Sequence, residues 1–169
     1  MKRARIAGCL VSAAAAVGTV LVAAPAASAY TTYTDDECSS STRCFAIFFN
    51  SRQNIGIFSS ACFITNKTED SHLGYDHLTS SGMQQVRYEF NHGSGFHGGL
   101  PNGSYCQGTD PGSGWSVKNN AAGASNGDTR SHRVYYNSNQ MGTSQTIESG
   151  ANDNLVAALK NNNASSKRL

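Results

Sequence analysis

The sequence has few charged residues and no excess of either sign. Only 14% of its 169 residues are Asp, Glu, Lys or Arg, and the formal net charge is +2. Three of the basic residues, Lys2, Arg3 and Arg5, precede an apolar run at the N-terminus. Without these three the chain has 10 basic and 11 acidic residues, a net charge of −1. A chain with this charge balance has no net positive potential to attract polyanions, so neither a nucleic acid nor an anionic membrane is expected as a partner.

The sequence also lacks the common zinc-binding patterns. It contains no Cys-x2-Cys pair and no His-Glu-x-x-His motif. Two pairs of its histidines are spaced by five residues, whereas metal-binding pairs usually have a spacing of two or four. We therefore expect all five to be solvated loop residues: His72, His77, His92, His97 and His132.

No apolar run is long enough to cross a membrane comfortably. The N-terminal run is rich in Ala and Val and is interrupted by Pro25. It ends at Ala27-Ser28-Ala29, three small residues that a signal peptidase accepts. We predict that residues 1–29 are a cleaved signal peptide and that residues 30–169 form one secreted domain.

The loss of Cys9 with the signal leaves an even number of cysteines. In an exported chain an even number predicts disulfides, here two. Four cysteines allow three connectivities, and the short spacing between Cys38 and Cys44 favours a local bond. Cys62 is then left to pair with Cys106.

The mature chain contains two unequal copies of one pattern. IFFNSRQNIG (47–56) and VYYNSNQMG (134–142) share two aromatics, Asn-Ser, a Gln, an apolar residue and a Gly. VKNNAAGAS (117–125) and LKNNNASSK (159–167) form a second pair, so each copy opens with one motif and closes with the other. The opening and closing motifs are 45 residues further apart in copy one. We predict an insertion within 57–116 that contains both Cys62 and Cys106.

Strand signals dominate the rest of the chain. CFAIFFN (44–50), QQVRYEF (84–90) and HRVYYN (132–137) are aromatic or β-branched runs, and Asn126-Gly127 is a two-residue hairpin signal. Only NDNLVAALK (152–160) suggests a helix, of barely two turns. Residues 91–114 contain eight glycines, which predicts a long surface loop. The predicted fold class is all-β.

The opening motif resembles the βγ-crystallin Greek key, in which an aromatic precedes a Gly and the unit closes near a Ser. More narrowly, CFAIFFNSRQNIG, VKNNAAGA, RVYYNSNQMG and LKNNNASS resemble peptidase inhibitor family 36, small secreted actinobacterial proteins typified by a metalloproteinase inhibitor. The resemblance covers residues 38–56 and 115–166 and leaves the insertion unmatched. It implies two Greek-key motifs in one βγ-crystallin-like sandwich, and a monomer that inhibits an extracellular peptidase.

Catalysis is not expected. Residues 123–127 match the G-x-S-x-G pattern of a hydrolase, but that pattern requires a strand before it and a helix after it. The sequence around Ser125 predicts a turn and a strand instead, so the chain is predicted not to be an enzyme.

An inhibitor presents a rigid extended loop, because the ordering entropy has then already been lost before binding. Three segments are candidates: Ser39–Arg43, which Cys38 and Cys44 close; Cys62-Phe63-Ile64; and residues 91–114. The resemblance implies metallopeptidases, and thermolysin-like enzymes prefer a large apolar residue after the cleaved bond. Cys62, Phe63 and Ile64 are therefore the predicted inhibitory loop, with a core strand as the alternative.

Asn161, Asn162, Ser165 and Ser166 fit the calcium pattern of microbial βγ-crystallins. The pattern offers amide and hydroxyl oxygens but no carboxylate, so any Ca²⁺ would be held weakly. Residues 119–124 of copy one have lost both hydroxyls and are expected to hold no ion. The alternative is that both Asn runs hydrogen-bond their own turns. Two other functions thus remain open, a weak calcium-binding envelope- or spore-associated protein and a toxin-like protein.

Overall fold

The computed structural model describes residues 30–38, 43–52, 56–90, 99–107 and 111–169. Within these ranges the regular structure is β-strand, apart from one 3-10 turn at Pro101–Gly103. The all-β prediction is confirmed. In chain order the strands are β1 (Tyr30–Tyr33), β2 (Asp35–Asp36), β3 (Phe45–Phe48), β4 (Ser59–Ser60), β5 (Cys62–Thr65), β6 (Gly74–Thr79), β7 (Gly82–Tyr88), β8 (Tyr105–Cys106), β9 (Gly123–Asn126), β10 (His132–Asn137), β11 (Met141–Ile147), β12 (Asn152–Asn154) and β13 (Ser165–Arg168).

Two sheets form the main body. One has the order β12-β9-β3-β5-β2 and the other the order β11-β10-β13. Beyond β13, the backbone of Glu69 makes an antiparallel bridge to Ser166 and extends the second sheet. Phe45 of the first sheet shares one buried cluster with Val134 and Ile147 of the second. The two sheets therefore pack against each other through a common apolar core, as in a sandwich.

The two copies of the repeat exchange strands between these sheets. β3, β5 and β9 belong to copy one, and β12 of copy two completes their sheet beside β9. β10, β11 and β13 belong to copy two, and the Glu69 segment of copy one lies beside β13. Each copy thus contributes one segment to the sheet of the other. Such an exchange is expected of two intertwined units. That each unit is a Greek key stays a prediction.

Backbone hydrogen bonds show which residues of the two copies correspond. The N–H of Leu155 donates to the carbonyl oxygen of Ala122 at 3.0 Å, and the N–H of His72 donates to that of Ala164 at 2.7 Å. Ala122 and Ala164 have the same place in the two closing motifs. His72 therefore corresponds to Leu155, and most of the extra residues of copy one follow His72.

Cys62 accordingly lies outside the insertion, contrary to the prediction. It begins β5 and faces Phe48 across the β3–β5 ladder, just as β11 pairs with β10 in copy two. The sequence comparison missed this because CFIT in β5 has no visible likeness to the polar MGTSQTI of β11. The inserted chain runs mainly from 73 to 116 and contains β6, β7 and β8.

Two disulfides join Cys38 to Cys44 and Cys62 to Cys106, the pairing that the spacing predicts. The second bond links core strand β5 to β8, which itself pairs with β4. It therefore fastens the inserted chain to the core sheet and does not close the insertion on itself.

The insertion contributes two strands of a third sheet, with the order β1-β7-β6. β6 and β7 form an antiparallel hairpin, and β1 runs parallel to β7. The strand predicted from QQVRYEF is confirmed as part of β7, and its Val86 and Tyr88 enter the main core cluster. One end of this hairpin is thus anchored in the core.

Two local predictions were wrong. Asn126-Gly127 does not form a hairpin, because β9 pairs with β3 and β12 while the following β10 belongs to the other sheet. The side chain of Asn126 instead donates to the carbonyl oxygens of Arg130 and Ile147 and stabilises the crossing between sheets. Residues 152–160 do not form a helix, because 152–154 pair with β9 as β12 and turns follow.

Some sequence predictions concern residues outside the described ranges. These are the signal peptide (1–29), most of the Ser39–Arg43 loop (39–42), part of the first opening motif (53–55) and parts of the Gly-rich loop (91–98 and 108–110). Among the residues that the structure does describe, no helix has the length and apolar character needed to cross a membrane.

Candidate functional site

The predicted inhibitory loop is part of the core. Phe63 is 0% exposed on β5, and Cys62 and Ile64 are buried beside it. The ring of Phe63 packs against that of Tyr88, with centroids 4.6 Å apart. β5 lies between β3 and β2, so both of its edges face neighbouring strands. A bond in this strand cannot enter the active site of another protein, and the prediction for Cys62, Phe63 and Ile64 was wrong.

The predicted calcium ligands do not form an open oxygen cluster. The hydroxyl of Ser165 donates to the carbonyl oxygen of Asn137 at 2.6 Å and accepts the N–H of Gln140 at 3.1 Å. Ser166 is fully buried on β13. The side chain of Asn162 donates to the carbonyl oxygen of Lys160, in its own turn. Because the hydroxyls of Ser165 and Ser166 are unavailable, these residues and Asn161 do not fit a calcium ion.

The histidines are not all solvated, as the sequence had suggested. His72 and His132 are both 0% exposed. Burial lowers the pKa of His72 to about 3, so this imidazole is neutral at neutral pH. His132 stacks on Phe45 and bonds Asp128 at 3.0 Å. His77 lies on β6, and no group of three or more metal-ligating His, Cys, Asp or Glu residues occurs in the described part of the chain.

His92 and His97 lie outside the described residues.

Among the described residues of the inserted chain, the large apolar side chains with the greatest exposure lie on the β6–β7 hairpin. Leu78 is 77% exposed and its cross-strand partner Met83 is 64% exposed. The turn between them is closed by Thr79, whose hydroxyl donates to the carbonyl oxygen of Gly82 at 2.8 Å. Gly82 has a φ of 120°, which an L-side chain rarely adopts. The hairpin tip is therefore a defined turn that presents two apolar side chains.

β6 is also an edge strand. It pairs with β7 on one side and with no second strand among the described residues. In an antiparallel pair, alternate residues of such a strand direct N–H and C=O groups away from the partner. The sequence reasoning missed this strand, although GYDHLT followed by a Ser-Ser turn and a second polar–apolar run was a usable hairpin signal.

A polar pocket of about 400 Å³ lies at the base of the same hairpin. The hydroxyl of Tyr88 is 2.7 Å from Oδ2 of Asp36 and 2.9 Å from Oε2 of Glu69. Burial raises the pKa of Glu69, and Thr65 donates to its other oxygen at 2.6 Å. The residues that line the pocket are Asp36, Lys67, Thr68, Glu69, Asp70, Ser71, Gly74, Tyr75 and Tyr88.

The pocket brings two carboxyl groups to one tyrosine hydroxyl. A hydroxyl has one proton, so Tyr88 can donate to only one of the two carboxyl groups at a time. Glu69 is 5% exposed, and burial is the main cause of the raised pKa of its carboxyl group. Asp36 also forms an ion pair with Lys67 at 3.1 Å. The arrangement is a fixed relay of hydrogen bonds that holds the base of the hairpin against the core.

Two further clefts lie at equivalent places in the two copies. The copy-one cleft has a volume of about 440 Å³ and is lined by Phe49, Asn50, Ser51, Arg52, Ser59, Ala122, Lys160 and Asn161. The copy-two cleft has a volume of about 310 Å³ and is lined by Lys118, Asn119, Tyr136, Asn137, Ser138, Asn162 and Ala164. Each cleft is lined by the Asn-Ser pair of one copy's opening motif and by the Lys-Asn pair of the other copy's closing motif.

Comparison with known proteins gives no relative. No family model, no curated protein and no solved structure matches this chain. The resemblance to peptidase inhibitor family 36 therefore stays a prediction.

Proposed function

We propose that this protein is a secreted inhibitor of a peptidase and that the β6–β7 hairpin is the part that enters the active-site cleft. The observation that carries the proposal is Leu78, a large apolar side chain that is 77% exposed on an edge strand. The motif resemblance favours inhibition, and the two disulfides are compatible with an oxidising, extracellular location.

The backbone of β6 has the form that a peptidase cleft accepts. An extended segment with unpaired N–H and C=O groups can add to the edge of another protein's sheet. Since the β7 ladder already holds β6 extended, little backbone entropy is lost on binding. Leu78 then supplies the large apolar side chain that the metallopeptidase hypothesis requires after the bond His77–Leu78.

The hairpin is also built to resist release after cleavage. Hydrolysis between His77 and Leu78 would add water and create two new chain ends. Both ends remain paired with β7, and Arg87 of β7 bonds Asp76 at 2.7 Å on the N-terminal side. The C-terminal side stays attached through the turn at Gly82. Fragments held in this way cannot diffuse away, which favours religation and persistent occupation of the cleft.

The test is an inhibition assay of residues 30–169 against a panel of thermolysin-like and serine peptidases. Leu78→Thr introduces a β-branched residue that suits a strand and removes the large apolar side chain. We expect it to weaken inhibition about tenfold or more, because burial of a Leu side chain contributes about 1.5–3 kcal/mol. Met141→Thr is the matched control, since Met141 is 57% exposed on β11 and outside the hairpin.

Two results would contradict the proposal. Equal inhibition by the wild type and Leu78→Thr would remove the hairpin from the interface. Inhibition of a trypsin-like enzyme that is lost in Arg43→Ala would place the contact at the loop closed by Cys38 and Cys44, where Arg43 is exposed. The toxin-like alternative is checked by adding the same protein to bacterial and yeast cultures.

A further inference from the structure

The copy-one cleft is distinguished from its counterpart by its charge. Arg52 and Lys160 both line it, and none of its described lining residues is acidic. In the sequence of copy two, Asn139 corresponds to Arg52. Lys118 is the one cation among the residues that line the copy-two cleft. The ammonium of Lys118 donates to the hydroxyl of Ser138 at 3.2 Å. Of the two equivalent clefts, the first therefore has two cations and the second has one, which is already engaged.

Arg52 is held in place by copy two. Its Nη1 donates to the carbonyl oxygen of Asn152 at 3.1 Å, and its backbone N–H donates to Oδ1 of Asn154 at 2.7 Å. A guanidinium has five N–H donors, so a fork remains available after one bond to a carbonyl. Because these bonds already restrict Arg52, less conformational entropy is lost when a ligand binds to it.

In the described part of the chain, neither cation of the copy-one cleft forms an ion pair. The ion pairs found there involve Lys67, Arg87, His132 and Arg168, and neither Arg52 nor Lys160 takes part in one. The cleft is also lined by polar side chains with hydrogen-bond donors, namely Asn50, Ser51 and Asn161.

We propose that the copy-one cleft binds a phosphate group, either inorganic phosphate or a terminal phosphate monoester. The two cations match the charge of such a group, which is about −1.5 to −2 near neutral pH. The fork of Arg52 suits two phosphate oxygens, and the ammonium of Lys160 acts as a point charge beside them. The amide and hydroxyl donors of Asn50 and Ser51 complete the hydrogen bonding.

The proposal is tested by titrating residues 30–169 with inorganic phosphate while the amide resonances are followed by NMR. Chloride at matched ionic strength controls for screening. We expect saturable shifts at Ser51, Lys160 and Asn161. Arg52→Gln and Lys160→Gln should each weaken binding about tenfold, because each removes a charge-assisted contact. Lys118→Gln, the equivalent change in the copy-two cleft, should leave the affinity unchanged.

The form of the ligand is resolved by two further titrations. Glycerol phosphate, a monoester, should bind about as tightly as inorganic phosphate, whereas a glycerol phosphodiester with one negative charge should bind more weakly. The proposal is overturned if chloride reproduces the shifts, if Lys118→Gln weakens binding as much as Lys160→Gln, or if the diester binds best. Thermal melts of each variant establish that a loss of binding is not a loss of folding.

Discussion

The backbone N–H of Asn161 donates a hydrogen bond of 2.7 Å to the carbonyl oxygen of Ala121. The N–H of Asn119 donates in the same way to Asn163, at 2.8 Å. Ala121 and Asn163 are themselves equivalent in the two closing motifs. Each copy therefore holds the closing motif of the other, and this reciprocal pair is the centre of the interlocked fold.

Replacement of these two asparagines should show their backbone role. Asn119 and Asn161 have φ values of 63° and 58°, a region that Asn tolerates better than most residues with side chains. Asn119→Ala and Asn161→Ala should each lower the free energy of unfolding by about 1 kcal/mol. Asn→Gly at either position should cost less, because Gly adopts this φ without strain. Urea unfolding measures both, and an Ala variant as stable as the Gly variant would contradict the account.

Substitutions of Phe63 and Leu78 should affect stability very differently, because one residue lies in the core and the other on the surface. Phe63→Ala removes a fully buried ring and should lower the free energy of unfolding by about 3–5 kcal/mol. Leu78→Ala, at a position 77% exposed, should change it by less than about 0.5 kcal/mol. Denaturant unfolding of the two variants side by side makes the comparison. If Phe63→Ala were as mild as Leu78→Ala, the assignment of β5 to the core would be wrong.

The two disulfides should contribute unequally to stability. The Cys62–Cys106 bond spans 44 residues and the Cys38–Cys44 bond spans 6. In the chain-entropy model these loops correspond to about 4 and about 2 kcal/mol. Paired Cys→Ser variants for each bond, compared by denaturant unfolding, check the order. A larger loss for the shorter loop would show that chain entropy does not dominate.

Glu69 should make stability depend on pH. Burial raises its pKa in the folded state above the ordinary value of 4.5. Its contribution is therefore fully present below pH 4.5 and is lost as the pH rises through the folded-state pKa, since the unfolded chain ionises first. Glu69→Gln retains a donor toward Tyr88 and should remove this loss, so its relative stability against the wild type should increase with pH. A difference between the two proteins that does not change with pH would contradict the raised pKa of Glu69.

His72 acts in the opposite direction and must be considered in the same experiment. Its pKa is about 3 in the folded protein against 6.5 for an ordinary His. The unfolded chain therefore binds a proton that the folded chain does not, and stability falls as the pH is lowered from 6.5 toward 3. The loss approaches about 1.4 kcal/mol per pH unit within that window. Because both proteins in the Glu69→Gln comparison retain His72, this effect cancels in their difference.

The sequence predicted those features that depend on local pattern. Phe48-Phe49-Asn50-Ser51 and Tyr135-Tyr136-Asn137-Ser138 revealed the repeat because similar turns require similar residues. The disulfide pairing followed from the short spacing of Cys38 and Cys44. Each of these inferences needed only neighbouring residues or a simple count.

Features that depend on distant pairing were not predictable in this way. Phe63 was assigned to a loop because an apolar run of four residues does not reveal which strands flank it or what covers it. In the structure it pairs with Ile47 of β3. The relay through Tyr88 joins Asp36 to Glu69, residues that no spacing rule connects. Asn126-Gly127 had the right composition for a hairpin, but the pairing of β9 with β3 determined its geometry instead.

Amide hydrogen exchange of residues 30–169, alone and with an inhibited peptidase, tests the proposed function most directly. Binding through the edge of β6 should slow exchange at Tyr75–Thr79, and most of all around Leu78, while β11 on the other sheet exchanges as before. Protection confined to residues next to the Cys38–Cys44 bond, or no protection of β6 in a complex that inhibits the enzyme, would contradict the account.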